Sequence, residues 1–269
     1  MTVQQAHGGH EAQPRIVFIN GAAGDIGRAA ATRLASEGSA VVLCDGPEAA
    51  LDELAAQLRS AGGQALATTA DLTRQTDVRD AVLQALRWQA RIDVLVNCRG
   101  VEDCRPWEET DLGEWERHVR ANLTSVFLFC HEVTPHMRAR RHGKIVNVAS
   151  SAGRYRSSYF RYDAAVQTGV PFASSHGGVL ALTRELAFVV AADGICVNAV
   201  VPGLISTERM KREWTRLPER VRNDILMETS LGRLGEPDEV AAVIGFLASD
   251  ASSYVTGTAI DVNGGWWMS

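Results

Sequence analysis

The sequence predicts an α/β fold, a single-domain Rossmann arrangement with a doubly wound parallel sheet of about seven strands. Three observations predict it. Short apolar runs alternate with longer segments of helical periodicity along almost the whole chain. The first run, Ile16-Val-Phe-Ile19, stops at Asn20-Gly21 and passes through Gly24 and Gly27 into a helix. Asn20, Asp45, Asp71, Asn97, Ser150 and Pro202 close six successive runs. Such sheets bind ligands at the carboxyl ends of their strands.

The glycine stretch comes first. A buried strand, a glycine turn and a helix N-terminus together make a pyrophosphate site, because backbone amides and the helix dipole face the anion. A second strand over 40–44 ends in Asp45. An acidic residue there is the expected acceptor for the ribose hydroxyls of NAD, and its charge would repel the extra phosphate of NADP. The alternative is a cap for the helix of 47–60. Strand 64–70 follows, then a helix capped by Thr73 and running through Trp88, and strand 92–97. One long helix over 111–140 carries Asn122. Strand 144–149, helix 172–192 and strand 195–201 come next. Residues 208–230 read as two short helices, and 236–249 as a helix with Pro237 in its first turn. Strand 258–262 closes the series. Residues 1–14 have no apolar core and read as a flexible tail ahead of a domain at 15–269.

Composition narrows the function. The chain has 269 residues, 46% hydrophobic and 22% charged, with net charge −5. Nucleic acid is therefore not an expected partner. RARRH at 138–142 reads as a solvated helix end. No apolar run is long enough for a membrane span. The five cysteines, at 44, 98, 104, 130 and 196, show no metal-ligand spacing. Free thiols in a reducing, cytoplasmic compartment are the expectation, with no metal.

With these residues in view, the chain resembles the short-chain dehydrogenase/reductase family over almost everything after residue 14. The glycine signature corresponds to Asn20 through Gly27, with Gly21, Gly24, Ile26 and Gly27 in place. Asn97-Cys-Arg-Gly100 matches the family's N-N-A-G motif, and Asn122 its structural and catalytic asparagine. Ser150 matches the catalytic serine, and V-N-A-V-V-P-G-L-I-S-T at 197–207 a further family block. The resemblance implies an oxidoreductase interconverting a secondary alcohol and a ketone on a small or medium organic substrate. It implies cofactor contacts from Gly21, Gly24, Asp25, Ile26, Gly27, Asp45, Asp71, Leu72, Asn97, Gly100, Pro202, Gly203, Ile205 and Thr207. It also implies a substrate lid near 205–230 and a homo-tetramer or homo-dimer.

The family's Tyr-x-x-x-Lys pair does not match. In register, Phe172 stands at the tyrosine and His176 at the lysine. No other register rescues the pair, since neither Lys144 nor Lys211 follows a tyrosine by four residues. A phenyl ring has no proton to exchange, and general acid–base assistance is worth about 10²–10⁴-fold. Two replacements stay open. One is a tyrosine of the loop at 154–163, with Tyr162 as candidate and Tyr159 on the substrate side. The other is His176, which otherwise holds the nicotinamide ribose. Phe172 and Trp214 would line the substrate pocket. Asp25 replaces a glycine of the signature and would repel pyrophosphate; Arg99 is placed to offset it. A dinucleotide-binding protein of this fold without ordinary dehydrogenase chemistry is the rival expectation: a regulatory protein, a lyase or an isomerase.

Overall fold

The computed structural model describes residues 13–102, 105–155 and 169–268. The elements are β1 (Ile16–Asn20), α1 (Asp25–Ser36), β2 (Ala40–Asp45), α2 (Glu48–Ser60), β3 (Gln64–Thr69) and α3 (Gln75–Gln89). Then come β4 (Val94–Asn97), α4 (Leu112–His118), α5 (Ser125–Arg140), β5 (Gly143–Val148), α6 (Val170–Val190) and β6 (Ile195–Pro202). The chain closes with α7 (Glu208–Arg216), α8 (Glu219–Glu228), α9 (Pro237–Ala248) and β7 (Ala259–Val262). The strands form one parallel sheet in the order β3-β2-β1-β4-β5-β6-β7. The order reverses between β1 and β4, which opens a crevice at their carboxyl ends.

Both faces of the sheet are covered, so its strands are continuous apolar runs rather than alternating ones. Phe18, Leu95, Ile145 and Val197 pack on one face with Val82 of α3, Phe129 of α5 and Val179 of α6. Val17, Val94, Val146 and Val200 of the same four strands pack on the other with Leu34 of α1, Leu51 of α2 and Ile244 of α9. Successive side chains point to opposite faces, which sorts each strand into two cores.

Two local expectations change. The helix expected over 111–140 is interrupted by a wide π turn at Val119–Thr124, which carries Asn122. One extra residue in a helical turn leaves the apolar spacing on either side intact, so periodicity does not register it. Thr73 does not cap α3. Its backbone N–H and hydroxyl both donate to Asp71 Oδ1 (3.0 and 2.7 Å), and Arg74 takes the cap position.

A chain of buried amides ties the sheet together at the crevice. Asn20, Asn97 and Asn147 are register partners on β1, β4 and β5. Asn20 Nδ2 donates to Asn97 Oδ1. Asn97 Nδ2 donates to Asn147 Oδ1 (2.7 Å), and Asn147 Nδ2 to Thr183 Oγ1 of α6 (2.9 Å). A buried donor left without its acceptor costs about 1–3 kcal/mol. Asn147→Ala should lower the unfolding free energy by about that amount, read as a shift of the urea midpoint at unchanged slope.

Candidate active site

The glycine turn is held by two close approaches. Gly21 has φ +70°, and a Cβ on it would lie 2.6 Å from Arg99 N. A Cβ on Gly27 would lie 2.2 Å from the Gly21 carbonyl oxygen. No side chain fits either place, and the first turn of α1 is left open towards the crevice. Gly24 precedes α1 at its N-cap, and half-buried Ile26 packs on the core. Asp25 opens the helix, and its Oδ2 accepts the Glu208 N–H (3.0 Å) of α7. It therefore joins the turn to the lid segment. Arg99 pairs with Asp45 (3.2 Å), not with Asp25.

Asp45 lies at the end of β2, almost wholly buried. Its Oδ1 accepts from Gly46 N (2.8 Å) and Arg99 Nη1 (3.2 Å), and its Oδ2 from Ala23 N (3.1 Å). A cavity of about 490 Å³ opens beside it, lined by Asp71, Leu72, Asp77 and Arg99 among others. The two bonds from Thr73 hold the Asp71 carboxyl below the usual carboxylate range.

The other end of the crevice gathers a second group. Asn122 Oδ1 accepts from Val101 N (2.7 Å), and its Nδ2 donates to Val101 O (3.2 Å) and Ser175 Oγ (3.0 Å). The same amide lies 3.5 Å from His118 Nδ1, while His118 Nε2 lies 3.3 Å from Glu114 Oε1. Phe172 sits between two imidazoles, with ring centroids 4.4 Å from His176 and 6.4 Å from His118. His176 is buried, and neither ring nitrogen has a hydrogen-bond partner among the described residues. Gly100 faces it: a Cβ there would be 3.8 Å from His176 Nε2. Ser150 opens the turn after β5, and its Oγ accepts from Ala152 N (3.2 Å). That turn rests on α6, where a Cβ on Gly153 would be 2.6 Å from Gly177 N.

The remaining candidates frame the crevice. Pro202 ends β6, and Gly203 donates its N–H to Val262 O (2.9 Å). Ile205 is buried and bridges to Gly235, and Thr207 caps α7 by accepting from Met210 N (3.1 Å). Trp214 packs with Leu217 and Ile225 in a small apolar cluster between α7 and α8. Tyr159 and Tyr162 lie outside the described residues. Glu114 and His118 join the second group with no sequence motif pointing to them, and Arg99, expected to offset Asp25, joins the first through Asp45 instead. The spacing of Glu114, His118 and Asn122 by four was the readable signal for Glu114 and His118.

Burial first, and His118 second, lower the His176 pKa from 6.5 to about 4. The folded pKa lies below the unfolded one, so the unfolded chain binds the extra proton between those values. Stability is full above pH 6.5 and declines as pH falls to about 4. Relative to wild type, His176→Leu should flatten this decline by about 2–3 kcal/mol, measured as urea unfolding free energy across that range.

Residues 21–267 match the family model described as enoyl-(acyl carrier protein) reductase. The chain is 36% identical over 251 residues to the 3-oxoacyl-(acyl-carrier-protein) reductase of Thermotoga maritima, covering 93% of this chain and 97% of that protein. It is 37% identical over 253 residues to the cis-4-hydroxycyclohexanecarboxylate dehydrogenase of Sinomonas cyclohexanicum, covering 94% and 96%. Levodione reductase has a crystal structure that superposes with TM-score 0.86 at 31% identity, covering 93% of this chain and 96% of that one. The sheet order, the turn that only glycine permits and these matches along nearly the full length agree, and the chain belongs to the short-chain dehydrogenase/reductase family.

Proposed function

We propose that the protein is an NAD(H)-dependent oxidoreductase that interconverts a secondary alcohol and a ketone on a small or medium organic substrate, with an atypical proton donor. One observation carries this reading. A single crevice has an anion-binding glycine turn and a carboxylate-lined cavity at one end, and Ser150, Asn122 and an unpartnered buried His176 at the other. The residues fit a nicotinamide dinucleotide. Gly21, Gly24 and Gly27 leave room for a pyrophosphate, and Asp45, Asp71 and Leu72 border a space for adenosine. The orphaned His176 nitrogens offer a donor and an acceptor to ribose hydroxyls. We assign Asn97, Gly100, Pro202, Gly203, Ile205 and Thr207 to the stretch between. Asp45 favours NAD over NADP by charge.

NAD supplies the hydride acceptor or donor when bound. Ser150 orients the substrate oxygen, and Asn122 fixes the geometry around Ser175 and Val101. His176 is neutral near pH 7 and holds the ribose by hydrogen bonds, where the family's lysine brings a positive charge. Phe172 walls the pocket and carries no proton, which leaves Tyr162 as the candidate donor. The segment 205–230 acts as the lid, joined to the turn through Asp25 and Glu208.

No described helix is long and apolar enough to cross a membrane. The four described cysteines are free, which suits a reducing cytoplasm. Phe127 on α5 and Phe188 and Val189 on α6 are exposed apolar side chains. We assign them to contacts in a homo-tetramer or homo-dimer.

The pairing of a neutral His176 with a protonless Phe172 favours a second reading, a dinucleotide-binding protein without ordinary dehydrogenase turnover. Fluorescence titration should show NADH binding, with NADPH weaker by about tenfold or more for the charge of Asp45. A ketone and alcohol screen at the nicotinamide band should then show turnover. NADH binding without turnover on any substrate selects the second reading, above all if Phe172→Tyr with His176→Lys raises the rate by about 10²-fold. Absence of NADH binding removes both.

A further inference from the structure

The Asp45–Arg99 pair does not fit a resident ribose acceptor. Asp45 Oδ1 already takes two N–H bonds and Oδ2 one, and the carboxylate side chain is only 3% exposed. A ribose diol needs both oxygens, so a donor has to leave. Two of the three donors are backbone amides of Gly46 and Ala23, fixed by β2 and the glycine turn. The third is the Arg99 guanidinium, 38% exposed and bonded through Nη1 alone among the described residues.

Arg99 also has somewhere to go. Its backbone lies against Gly21, where a Cβ would be 2.6 Å from Arg99 N, so the side chain starts beside the glycine turn. It is the sole basic residue among the described residues lining a cavity that carries Asp45, Asp71 and Asp77. A pyrophosphate at the glycine turn would neighbour this acidic cavity, and a cation offsets that charge. The pair is single-point and its cationic end is 38% exposed, whereas guanidinium–phosphate bonds are charge-assisted and often bidentate.

We propose that Arg99 is a two-position cofactor ligand: it covers Asp45 in the free protein and moves to the dinucleotide pyrophosphate, releasing Asp45 to the ribose hydroxyls. This rests on the reading of the crevice as a dinucleotide site. Arg99 thereby opposes nucleosides, which cannot draw it away, and favours nucleotides carrying a diphosphate.

Adenosine and ADP separate the two positions. By calorimetry, Arg99→Ala and Arg99→Gln should bind ADP about tenfold more weakly than wild type, and adenosine at least as tightly as wild type. Arg99→Lys, which keeps a point charge, should recover most of the ADP affinity. Bound adenosine also reports that each variant is folded. Equal loss of adenosine and ADP would make Arg99 merely structural and overturn the proposal, as would unchanged ADP affinity. If the wild type binds NADH while ADP affinity ignores Arg99, this inference alone fails; if it binds neither NADH nor ADP, the cofactor reading fails with it.

Discussion

The chain of amides from Asn20 through Asn97 and Asn147 to Thr183 is the constraint on which the rest depends. It crosses three strands at one register level and ends in α6. The candidate site residues follow that level, and the apolar strand runs precede it. A polar row inside a packed core is tolerable only when each member finds its partner. That requirement fixes the separation of β1, β4, β5 and α6 more tightly than apolar packing would. The glycine turn leaves β1 at Asn20, and the N-C-R-G segment leaves β4 at Asn97. Ser150 follows β5, and Phe172 and His176 stand two turns and more before Thr183 on α6. The row therefore sets the distances between functional groups far apart in sequence.

The two ends of the crevice differ in electrostatics. At the glycine turn, charges are plentiful and paired: Asp45 with Arg99, and Asp25 with the N-terminal amide of α7. At the other end, Phe172 and buried His176 form an apolar wall with an imidazole kept neutral. Charge is thus concentrated around the glycine turn, whereas the phenyl–imidazole wall carries none, and the charged Glu114 on that side is paired with Arg117 and His118. A neutral imidazole next to a phenyl ring can position a sugar but supplies little acid at neutral pH.

Much of this was legible in the sequence. The glycine spacing, the acid ending β2 and the strand-end residues report backbone geometry, and backbone geometry follows from local steric rules. Phe172 and His176 were visible because a strong local pattern placed them in register. The π turn at Asn122 was not, because one inserted residue leaves the apolar spacing unchanged on both sides. The sequence offers Arg99 as a counter-ion for Asp25, 74 positions earlier in the chain. Only folding brings β4 beside β1 and β2, and there the guanidinium meets Asp45 instead.

The sequence by itself determined the doubly wound sheet, the position of its glycine turn and the identity of the residues at the strand ends. Those features depend on short-range periodicity and on conformations that only glycine adopts freely. The tertiary structure decided the partners: Asn20 with Asn97, Asp45 with Arg99, Asp25 with Glu208, and His176 with none among the described residues. Partnership depends on distance and burial between residues as many as 183 positions apart. No local rule contains those quantities, and they are what sets the charge of the site.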